Sequence, residues 1–462
     1  MQKINADQER SKLLGTMPMN RLVPKISVPI MFSMLIQALY NVVDSIFVSR
    51  FDPDALTAVS LAYPIQMLMI ALSTGMGVGI NSLISRKLGE KRPDEARRAA
   101  WNGLFVELCS YGLFLIVGVC FSGVLLRALT SDTLANAEKI AQMGATYLSI
   151  VCTFSIGLFV SITMERMLQS TGNTVLSMVT QLAGAITNIV LDPIMIFGMN
   201  LGIAGAAIAT VIGQGVGMLL GLALNQKKNV ELRLNLREFR LDGGLLKGIF
   251  TVGLPSTVMS SISSVMNIGM NGILSGFAQG NDAVNVLNIY FKLQSFVFMP
   301  VFGLSNGLVA IIAYNYGAHS RERVYAAIKV ALKYAIAIMG MGMVLFLLFP
   351  EALMSLFQSG EVAASSAMTQ IGVVALRTIC LHFILAAVGI SLSTVFQAVG
   401  KGSYSLVMSL CRQLVVLLPA AWLLAKISLD AVWWSFLAAE SVSLAVCLGF
   451  YRKCDREMIS KL

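Results

Sequence analysis

Charged residues are scarce in this sequence. Only 13% of its 462 residues are charged, whereas about 25% is usual in soluble domains. Hydrophobic residues make up 56% of the chain, and its mean hydropathy is +0.76. Because such a chain is too apolar for a soluble globular protein, we predict an integral membrane protein embedded in a lipid bilayer.

Motifs for metal binding and enzymatic chemistry are also absent. The sequence has 2 histidines and 7 cysteines, and no two cysteines have the CxxC spacing. We therefore predict no disulfide framework, no cysteine metal site and no cofactor. An intramembrane prenyl transferase would need paired aspartate-rich metal motifs, and the sequence contains none. We expect a protein that is not an enzyme.

The formal net charge of +10 does not indicate a nucleic-acid partner. Basic residues lie in alternate loops, such as 86–98 and 227–247, rather than on one face interleaved with aromatic side chains. An excess of lysine and arginine marks cytoplasmic loops, so this pattern predicts that both termini are cytoplasmic. We expect a multi-pass protein of the plasma membrane, which in bacteria is the inner membrane.

Twelve apolar runs are long enough to cross about 30 Å of hydrocarbon as helices. Six lie in the first half of the chain, at 26–49, 56–85, 99–126, 141–168, 174–197 and 202–224. Six more follow, at 248–277, 284–316, 325–349, 366–397, 402–425 and 430–450. The sequence therefore predicts an all-α membrane protein with twelve transmembrane helices.

The two halves of the chain form an internal repeat. Gly75 and Gly79 recur as Gly303 and Gly307, and the segments 88–99 and 169–172 recur as 316–327 and 397–400, all with an offset of 228 residues. The repeat predicts two six-helix lobes, an N-lobe at 26–224 and a C-lobe at 248–450, joined by a linker at 225–247. The segments 1–25 and 451–462 are predicted to be cytoplasmic.

The offset pairs loops on the same side of the membrane, so the lobes have the same orientation. Parallel repeats with a cleft between them are typical of transporters that work by alternating access. A channel would more often have a filter segment, and none is visible. We expect a transporter that needs no partner subunit and acts as a monomer.

The most informative polar residue is Asp44, inside the first apolar run. An ionisable side chain there costs at least about 2.5 kcal/mol and marks a functional site. Gln37, Asn41 and Asp44 share the spacing i, i+4 and i+7, and Tyr40 lies one turn before Asp44. These residues form one polar stripe on the helix, directed away from lipid.

A second polar stripe lies on the fifth predicted helix. Gln181, Asn188 and Asp192 have the spacing i, i+7 and i+11, and Asp192 lies at the same predicted depth as Asp44. Two carboxylates in one apolar cavity favour binding of a proton or a cation. The aspartates could also be satisfied by neighbouring hydroxyl or arginine groups and serve only packing.

Neutral oxygen donors and helix breakers surround these acids. Asn188, Tyr40 and Thr210 could help to coordinate a hard cation, so a Na⁺ site at Asp44, Asn188 and Asp192 is one prediction. Pro29 and Pro193 remove backbone hydrogen bonds and provide places for the two helices to bend. The oxygen donors suit H⁺ and Na⁺ alike.

Methionines and polar groups supply candidates for a substrate cleft. Flexible methionines repack around varied apolar ligands, although each could equally face lipid. The cleft candidates are Gln37, Asn41, Met31, Met34, Met67, Met266 and Met270.

Several other polar residues have no functional assignment. We expect Glu165 to pair with its neighbour Arg166 at the membrane edge, and His382 to be a hydrogen-bonded core residue. The sequence does not assign partners to Glu107, Lys292, Arg377, Arg412 and Glu440.

The motifs together resemble the multidrug and toxic compound extrusion (MATE) family along the whole chain. The likeness depends on residues 29–50, 88–90, 165–173 and 188–193. The pattern is similar to the DinF-like branch, in which an N-lobe cation site matches Asp44, Asn188, Asp192, Tyr40 and Thr210, and a bending proline matches Pro29. The acids that the NorM-like branch adds on its helices 7 and 10 are missing here.

The resemblance implies a secondary antiporter that exports amphipathic, often cationic compounds in exchange for protons or sodium. Related superfamily members translocate lipid-linked saccharides, which gives a flippase as the alternative function. Flippases typically need a strongly cationic cavity, whereas the N-lobe cleft helices carry acids and almost no basic residues. Arg377 is the residue that keeps the alternative open.

Overall fold

The computed structural model describes residues 12–130, 136–235, 239–356 and 366–462. Within these ranges, the side chains of residues 40–46, 48–51, 53 and 366 are not described. The described chain contains helices and turns and no strand.

The described residues of the N-terminal half form six long helices. They are α1 (Met19–Phe51), α2 (Pro53–Gly89), α3 (Pro93–Ile116, a π-helical turn Val117–Phe121, and Ser122–Leu129), α4 (Ala137–Thr153 and Ile156–Ser170), α5 (Thr174–Pro193, then a π-helical turn Ile194–Gly198) and α6 (Gly202–Lys228).

The C-terminal half repeats this arrangement. Its long helices are α7 (Gly243–Leu274), α8 (Gly280–Gly317), α9 (Arg321–Leu348), α10 (Ser366–Ile379, a 3-10 turn Cys380–His382, and Phe383–Ala398), α11 (Gly402–Leu410, a π-helical turn Cys411–Val416, and Leu417–Leu424) and α12 (Trp434–Cys454). Two short helices, Pro350–Ser355 and Leu429–Val432, lie between them.

These helices confirm the predicted all-helical membrane fold. In the described residues, 11 helices are long and apolar enough to span a membrane, and counting the two bent segments of α4 as one span gives 12. Several helices are longer than their apolar runs. The helix α1, for example, begins at Met19 rather than at residue 26 and contains Pro24 as well as Pro29.

The linker between the halves is shorter than its charged composition indicates. The helix α6 continues to Lys228, a short 3-10 turn follows, and α7 begins at Gly243. Asn102 of α3 holds this connection, because its Nδ2 donates to the backbone carbonyl of Arg240 at 2.9 Å.

Both halves have an interrupted helix at the corresponding position. The helix α4 bends by 44° between its two segments. In the other half, α10 is interrupted by its 3-10 turn. Phe154 in the first break and His382 in the second are 228 residues apart, so the offset of the sequence repeat also relates the interruptions.

The lobes meet through glycines that leave no room for a side chain. A Cβ atom on Gly75 of α2 would lie 2.4 Å from the backbone nitrogen of Thr257 in α7. A Cβ atom on Gly303 of α8 would lie 2.5 Å from the Cα of Met31 in α1. Helices of opposite lobes are therefore in direct backbone contact.

A reciprocal pair of contacts joins the lobes at the ends of α2 and α8. A Cβ atom on Gly89 would be 2.0 Å from the backbone oxygen of Tyr314, and one on Gly317 would be 2.2 Å from that of Arg86. Each residue of the first contact has its counterpart 228 positions away in the second. A pseudo-twofold axis therefore runs between α2 and α8, and the lobes are closed on the side of the membrane where α1 begins.

The segment before α1 crosses to the C-lobe. Leu14 is fully buried among C-lobe residues. Its backbone oxygen accepts hydrogen bonds from Nδ2 of Asn315 at 3.0 Å and from Nη2 of Arg323 at 2.9 Å. Arg323 also donates to the backbone oxygen of Met17 at 3.0 Å. The start of the N-lobe is thereby tied to the opposite lobe.

Candidate cation-coupling site

Two glycines bring α5 and α6 together in the N-lobe. A Cβ atom on Gly213 would lie 2.7 Å from the backbone oxygen of Gly184 and 3.1 Å from the Cβ of Asn188. Side chains one turn from this contact can therefore interact across the interface. The polar stripe predicted on α5 faces α6 at this point.

Asn188 and Thr210 form the polar contact between these helices. Nδ2 of Asn188 donates to Oγ1 of Thr210 at 3.2 Å. The two residues are only 3% and 6% exposed. Among the described residues, Oδ1 of Asn188 has no hydrogen-bond partner. A buried amide oxygen without a donor costs about 1–3 kcal/mol and is suited to coordinate a cation or accept from a protonated acid.

Asp192 lies one helical turn beyond Asn188 and is fully buried. Pro193 follows it directly and ends the regular part of α5, and the next five residues form a π-helical turn. Proline has no N–H, so the carbonyl four residues earlier loses its helical partner. Such π-helical turns within α-helices are frequent at functional sites.

The helix α1, which carries the other predicted site residues, packs against α5. The side chains of Tyr40, Asn41 and Asp44 lie outside the described residues. Their assignment to cation coupling, including Na⁺ binding by Asp44, stays a prediction. Among the described residues, no group of three or more His, Cys, Asp or Glu side chains could hold a metal ion.

Of the predicted cleft methionines, Met31, Met34 and Met67 are half-buried, whereas Met266 and Met270 are buried. Met31 and Met34 lie on the α1 face that meets the C-lobe, where Nδ2 of Asn306 contacts Sδ of Met34 at 3.6 Å. Met67 and Gln37 are accessible, with Gln37 exposed and Met67 half-buried.

Met266 and Met270 do not fit the predicted cleft. They are only 7% and 0% exposed and belong to the apolar core of the C-lobe. Their apolar character reflects this packing, and hydropathy alone does not distinguish the core face of α7 from a cleft face. We therefore leave both residues out of the proposed cleft.

The expected ion pair between Glu165 and Arg166 does not form. Oε2 of Glu165 accepts from Nε2 of Gln181 at 2.5 Å, whereas Nη1 of Arg166 donates to Oε1 of Gln169 at 2.8 Å. Adjacent helical residues point about 100° apart and reach different neighbours. Gln181, at the lower end of the α5 stripe, thus links α5 to α4.

Partners that sequence reasoning left open are found in the C-lobe. Nη1 of Arg412 lies 3.7 Å from Oε1 of Glu440, which is 3% exposed. Lys292 and Arg377 have exposed side chains. The pairing of Arg412 with Glu440 joins α11 to α12, and only the rotation of these helices, which the sequence does not encode locally, brings the two together.

The sequence that forms this fold and site matches a known family. The profile of the MatE family matches residues 29–194 and 255–423. The chain belongs to the MATE family. Members are transporters rather than enzymes and need no cofactor, so this MATE protein is a multi-pass membrane transporter of small molecules.

Relatives of this MATE protein cover nearly its whole length. Multidrug export protein MepA of Staphylococcus saprophyticus is 28% identical in an alignment of 442 residues that covers 94% of this chain and 94% of that protein. A solved structure described as the outward-facing conformation of a multidrug resistance MATE family transporter of the MOP superfamily superposes with a TM-score of 0.90 at 25% identity, covering 98% of this chain and 99% of that one.

Another solved structure is a MOP superfamily transporter from Pyrococcus furiosus. It superposes with a TM-score of 0.89 at 26% identity, covering 96% of this chain and 97% of that chain. Its description says that the reverse polarity of its binding pocket suggests a different function. The same fold therefore does not by itself define the cargo.

Proposed function

We propose that this transporter exports amphipathic, often cationic small molecules by alternating access, in exchange for protons or sodium. The name of the S. saprophyticus relative supports multidrug export as the task. We further propose that it works as a monomer in the plasma membrane, the inner membrane of a bacterium, with both termini cytoplasmic. Its placement in the DinF-like branch is part of the same proposal.

The coupling site in this proposal comprises Asp44, Asp192, Asn188, Tyr40 and Thr210 of the N-lobe. The observation that carries it is the burial of Asp192 one turn from the hydrogen-bonded pair Asn188 and Thr210. A buried carboxylate inside a membrane helix needs a proton, a cation or a counter-charge. H⁺ and Na⁺ are ligands of this kind, and their binding can be reversed in a transport cycle.

The closed side of the lobes supports a specific transport cycle. With cytoplasmic termini, the glycine contacts between the lobes close the inner side, and the cleft faces outward. Ion uptake at Asp44 and Asp192 then bends α1 at Pro29 and releases the drug from a cleft lined by Gln37, Asn41, Met31, Met34 and Met67. An ion shifts the two conformations only by the difference in its affinity for them.

Transport by purified protein in liposomes tests this function. Drug movement is measured under a pH gradient and under a sodium gradient separately, for the wild type and the Asp44→Asn and Asp192→Asn variants. We expect one gradient to drive export and both variants to lose it. Asp430→Asn, at an exposed acid before α12, is the matched control and should retain export. Full gradient-driven export by Asp192→Asn would contradict the coupling site.

A flippase for lipid-linked saccharides is the second candidate. The description of the P. furiosus transporter, which shares this fold, supports considering a different cargo. Liposomes carrying a fluorescent lipid-linked saccharide distinguish the two functions. Saccharide translocation without drug movement under either gradient would favour the flippase.

A further inference from the structure

The core of the C-lobe contains a polar cluster that the N-lobe site does not use. Its members come from four helices: Tyr290 of α8, His382 of α10, Arg412 of α11 and Glu440 of α12. Tyr290, Glu440 and His382 are only 0%, 3% and 5% exposed. The repeat offset places Val416 and Ala420 at the positions of Asn188 and Asp192. The cluster is therefore not the repeat copy of the N-lobe site.

Glu440 has one cationic partner close by. Oε1 of Glu440 lies 3.7 Å from Nη1 of Arg412. Gly389 of α10 makes room for the carboxylate, because a Cβ atom there would lie 3.3 Å from Oε1. A single long ion pair compensates only part of the cost of removing a carboxylate from water. Protonation of Glu440 removes the charge of the carboxyl group and with it the largest part of this cost.

Phe436 connects the remaining members of the cluster. It lies one turn before Glu440, with its ring centroid 5.8 Å from that of Tyr290 and 6.0 Å from that of His382. Nδ1 of His382 lies 2.5 Å from the backbone oxygen of Ile379, so Nδ1 carries the proton and Nε2 is an acceptor.

The hydroxyl group of Tyr290 is a second, independent indication of a functional site in this C-lobe cluster. Although Tyr290 is fully buried, its hydroxyl has no hydrogen-bond partner among the described residues. Arg412 and Glu440 both lie within electrostatic reach of it. A buried hydroxyl without a partner costs about 1–3 kcal/mol. The ring of Tyr290 packs on Phe436, one turn before Glu440, so Tyr290 contacts the face of α12 that carries Glu440.

The backbone is irregular where two of these residues are placed. His382 lies in the 3-10 turn that interrupts α10, and Arg412 lies in the π-helical turn of α11. Both kinds of interruption are frequent at functional hinges and sites in helical proteins. A change of charge at Glu440 therefore acts next to two points where the C-lobe helices are already interrupted.

We propose that Glu440 is a second proton-binding site of this transporter, with Arg412 as its counter-ion when it is deprotonated. The fixed positive charge of Arg412 favours a proton over a metal cation as the ligand. This site goes beyond the proposed N-lobe coupling site and does not depend on it. The ionisable groups that interact within this cluster are Arg412, His382, Tyr290, Cys380 and Cys447. The packed helices also carry the exposed Arg377 on α10 and Tyr404 on α11, which stacks on Phe450.

Infrared difference spectroscopy of the purified protein in lipid tests this site. Spectra are recorded between alkaline and acidic pH, and the carbonyl band of protonated carboxylic acids is followed. We expect Glu440→Gln to lose one such pH-dependent band, and the matched control Asp430→Asn to retain it. In Arg412→Met the band should persist to higher pH, because no nearby positive charge then stabilises the deprotonated form of Glu440.

Two further variants separate the possible outcomes. An Asp44→Asn, Asp192→Asn double variant should keep the Glu440 band. The Glu440 site can therefore be confirmed even if the N-lobe proposal fails. If Glu440→Gln does not fold, Glu440→Asp gives the same answer, because the band moves to the frequency of aspartic acid. Identical spectra for the wild type and a folded Glu440 variant would overturn the proposal, as would an Arg412→Met band with unchanged pH dependence.

Discussion

Gly303 of α8 lies against Met31 of α1 so closely that a Cβ atom on the glycine would be 2.5 Å from the Met31 Cα. The neighbour is backbone, which cannot move aside as a flexible side chain could. The contact joins the two lobes on the side of the membrane where they are closed. Closure of this side therefore depends on the absence of a single methyl group.

Gly303→Ala should consequently impair transport. The added methyl group prevents α1 and α8 from meeting, so the population shifts away from the closed arrangement, and we expect export to fall at least about tenfold, which corresponds to about 1.4 kcal/mol. Liposome transport and thiol labelling of a single cysteine placed at the interface measure the effect. Gly215→Ala is the control, because a Cβ atom there has no neighbour within 4 Å. Equal transport by both variants would show that the contact is dispensable.

Thr210→Val should weaken binding of the coupling ion. The substitution keeps the shape of the side chain but removes the hydroxyl that accepts from Asn188 at 3.2 Å. Because a typical hydrogen bond contributes about 0.5–1.5 kcal/mol, we expect the half-saturating ion concentration to rise about two- to tenfold. Measuring transport against ion concentration checks this, and Thr210→Ser should behave like the wild type. An unchanged half-saturation in Thr210→Val would remove Thr210 from the coupling site.

Arg323→Gln should loosen the segment that precedes α1. The guanidinium donates to the backbone oxygens of Leu14 and Met17 at 2.9 and 3.0 Å. Hydrogen bonds from a charged donor contribute about 1.5–3 kcal/mol, and partial exposure of Arg323 places the expected loss of unfolding free energy at the lower end. Thermal unfolding and limited proteolysis of the N-terminal segment measure this loss. The exposed Lys329→Gln is the control, and equal proteolysis of both variants would argue against the tie.

Acid should release the ion pair between the α1–α2 turn and the start of α4. Nζ of Lys139 lies 2.7 Å from Oδ2 of Asp52 and 2.9 Å from Oδ2 of Asp54. The Lys139 ammonium, with the Asp54 backbone N–H, lowers the pKa of Asp52 from its ordinary value of 3.8. A lowered pKa in the folded state stabilises the protein above pH 3.8, and this contribution is lost as the pH falls through the folded pKa.

The unfolding temperature of Lys139→Met should therefore lie below that of the wild type at pH 7, and the difference should shrink in acid below the pKa of Asp52. The effect is small, because the ion pair is exposed to solvent. Arg127→Met, which removes a more exposed ion pair with Glu138, is the control and should change less. A difference that persists unchanged at low pH would contradict the role of Asp52.

Sequence patterns predicted the helices and the repeat because both depend on local composition. Long apolar runs specify the membrane spans. The 228-residue offset also predicted that Gly75 and Gly303 occupy equivalent positions, and each of them contacts the opposite lobe. The side-chain partners were harder to predict. Met270 is as apolar as a cleft methionine, and the rotation of α7 alone places it in the core.

The partners of charged side chains could not be predicted from the sequence for the same physical reason. Glu165 and Arg166 are adjacent in sequence but point to different helices, whereas Arg412 and Glu440 are 28 residues apart in sequence and meet across α11 and α12. A membrane helix forms from its own hydrogen bonds, so its sequence carries little information about which neighbour each face will meet. Asn188 and Thr210 were placed in one predicted site as neutral oxygen donors, and the family resemblance implied the same site. Their hydrogen bond is a contact between helices that the polar stripe on α5 alone does not specify.

The reciprocal contacts of Gly89 with Tyr314 and of Gly317 with Arg86 have an evolutionary consequence. The same patch of each lobe meets its own copy in the other, as in the isologous interface of a twofold dimer. A half-length, six-helix ancestor could therefore have assembled as a homodimer before gene duplication and fusion. Fusion would then have freed the two halves to diverge, so that acids could persist in one lobe and different charges arise in the other.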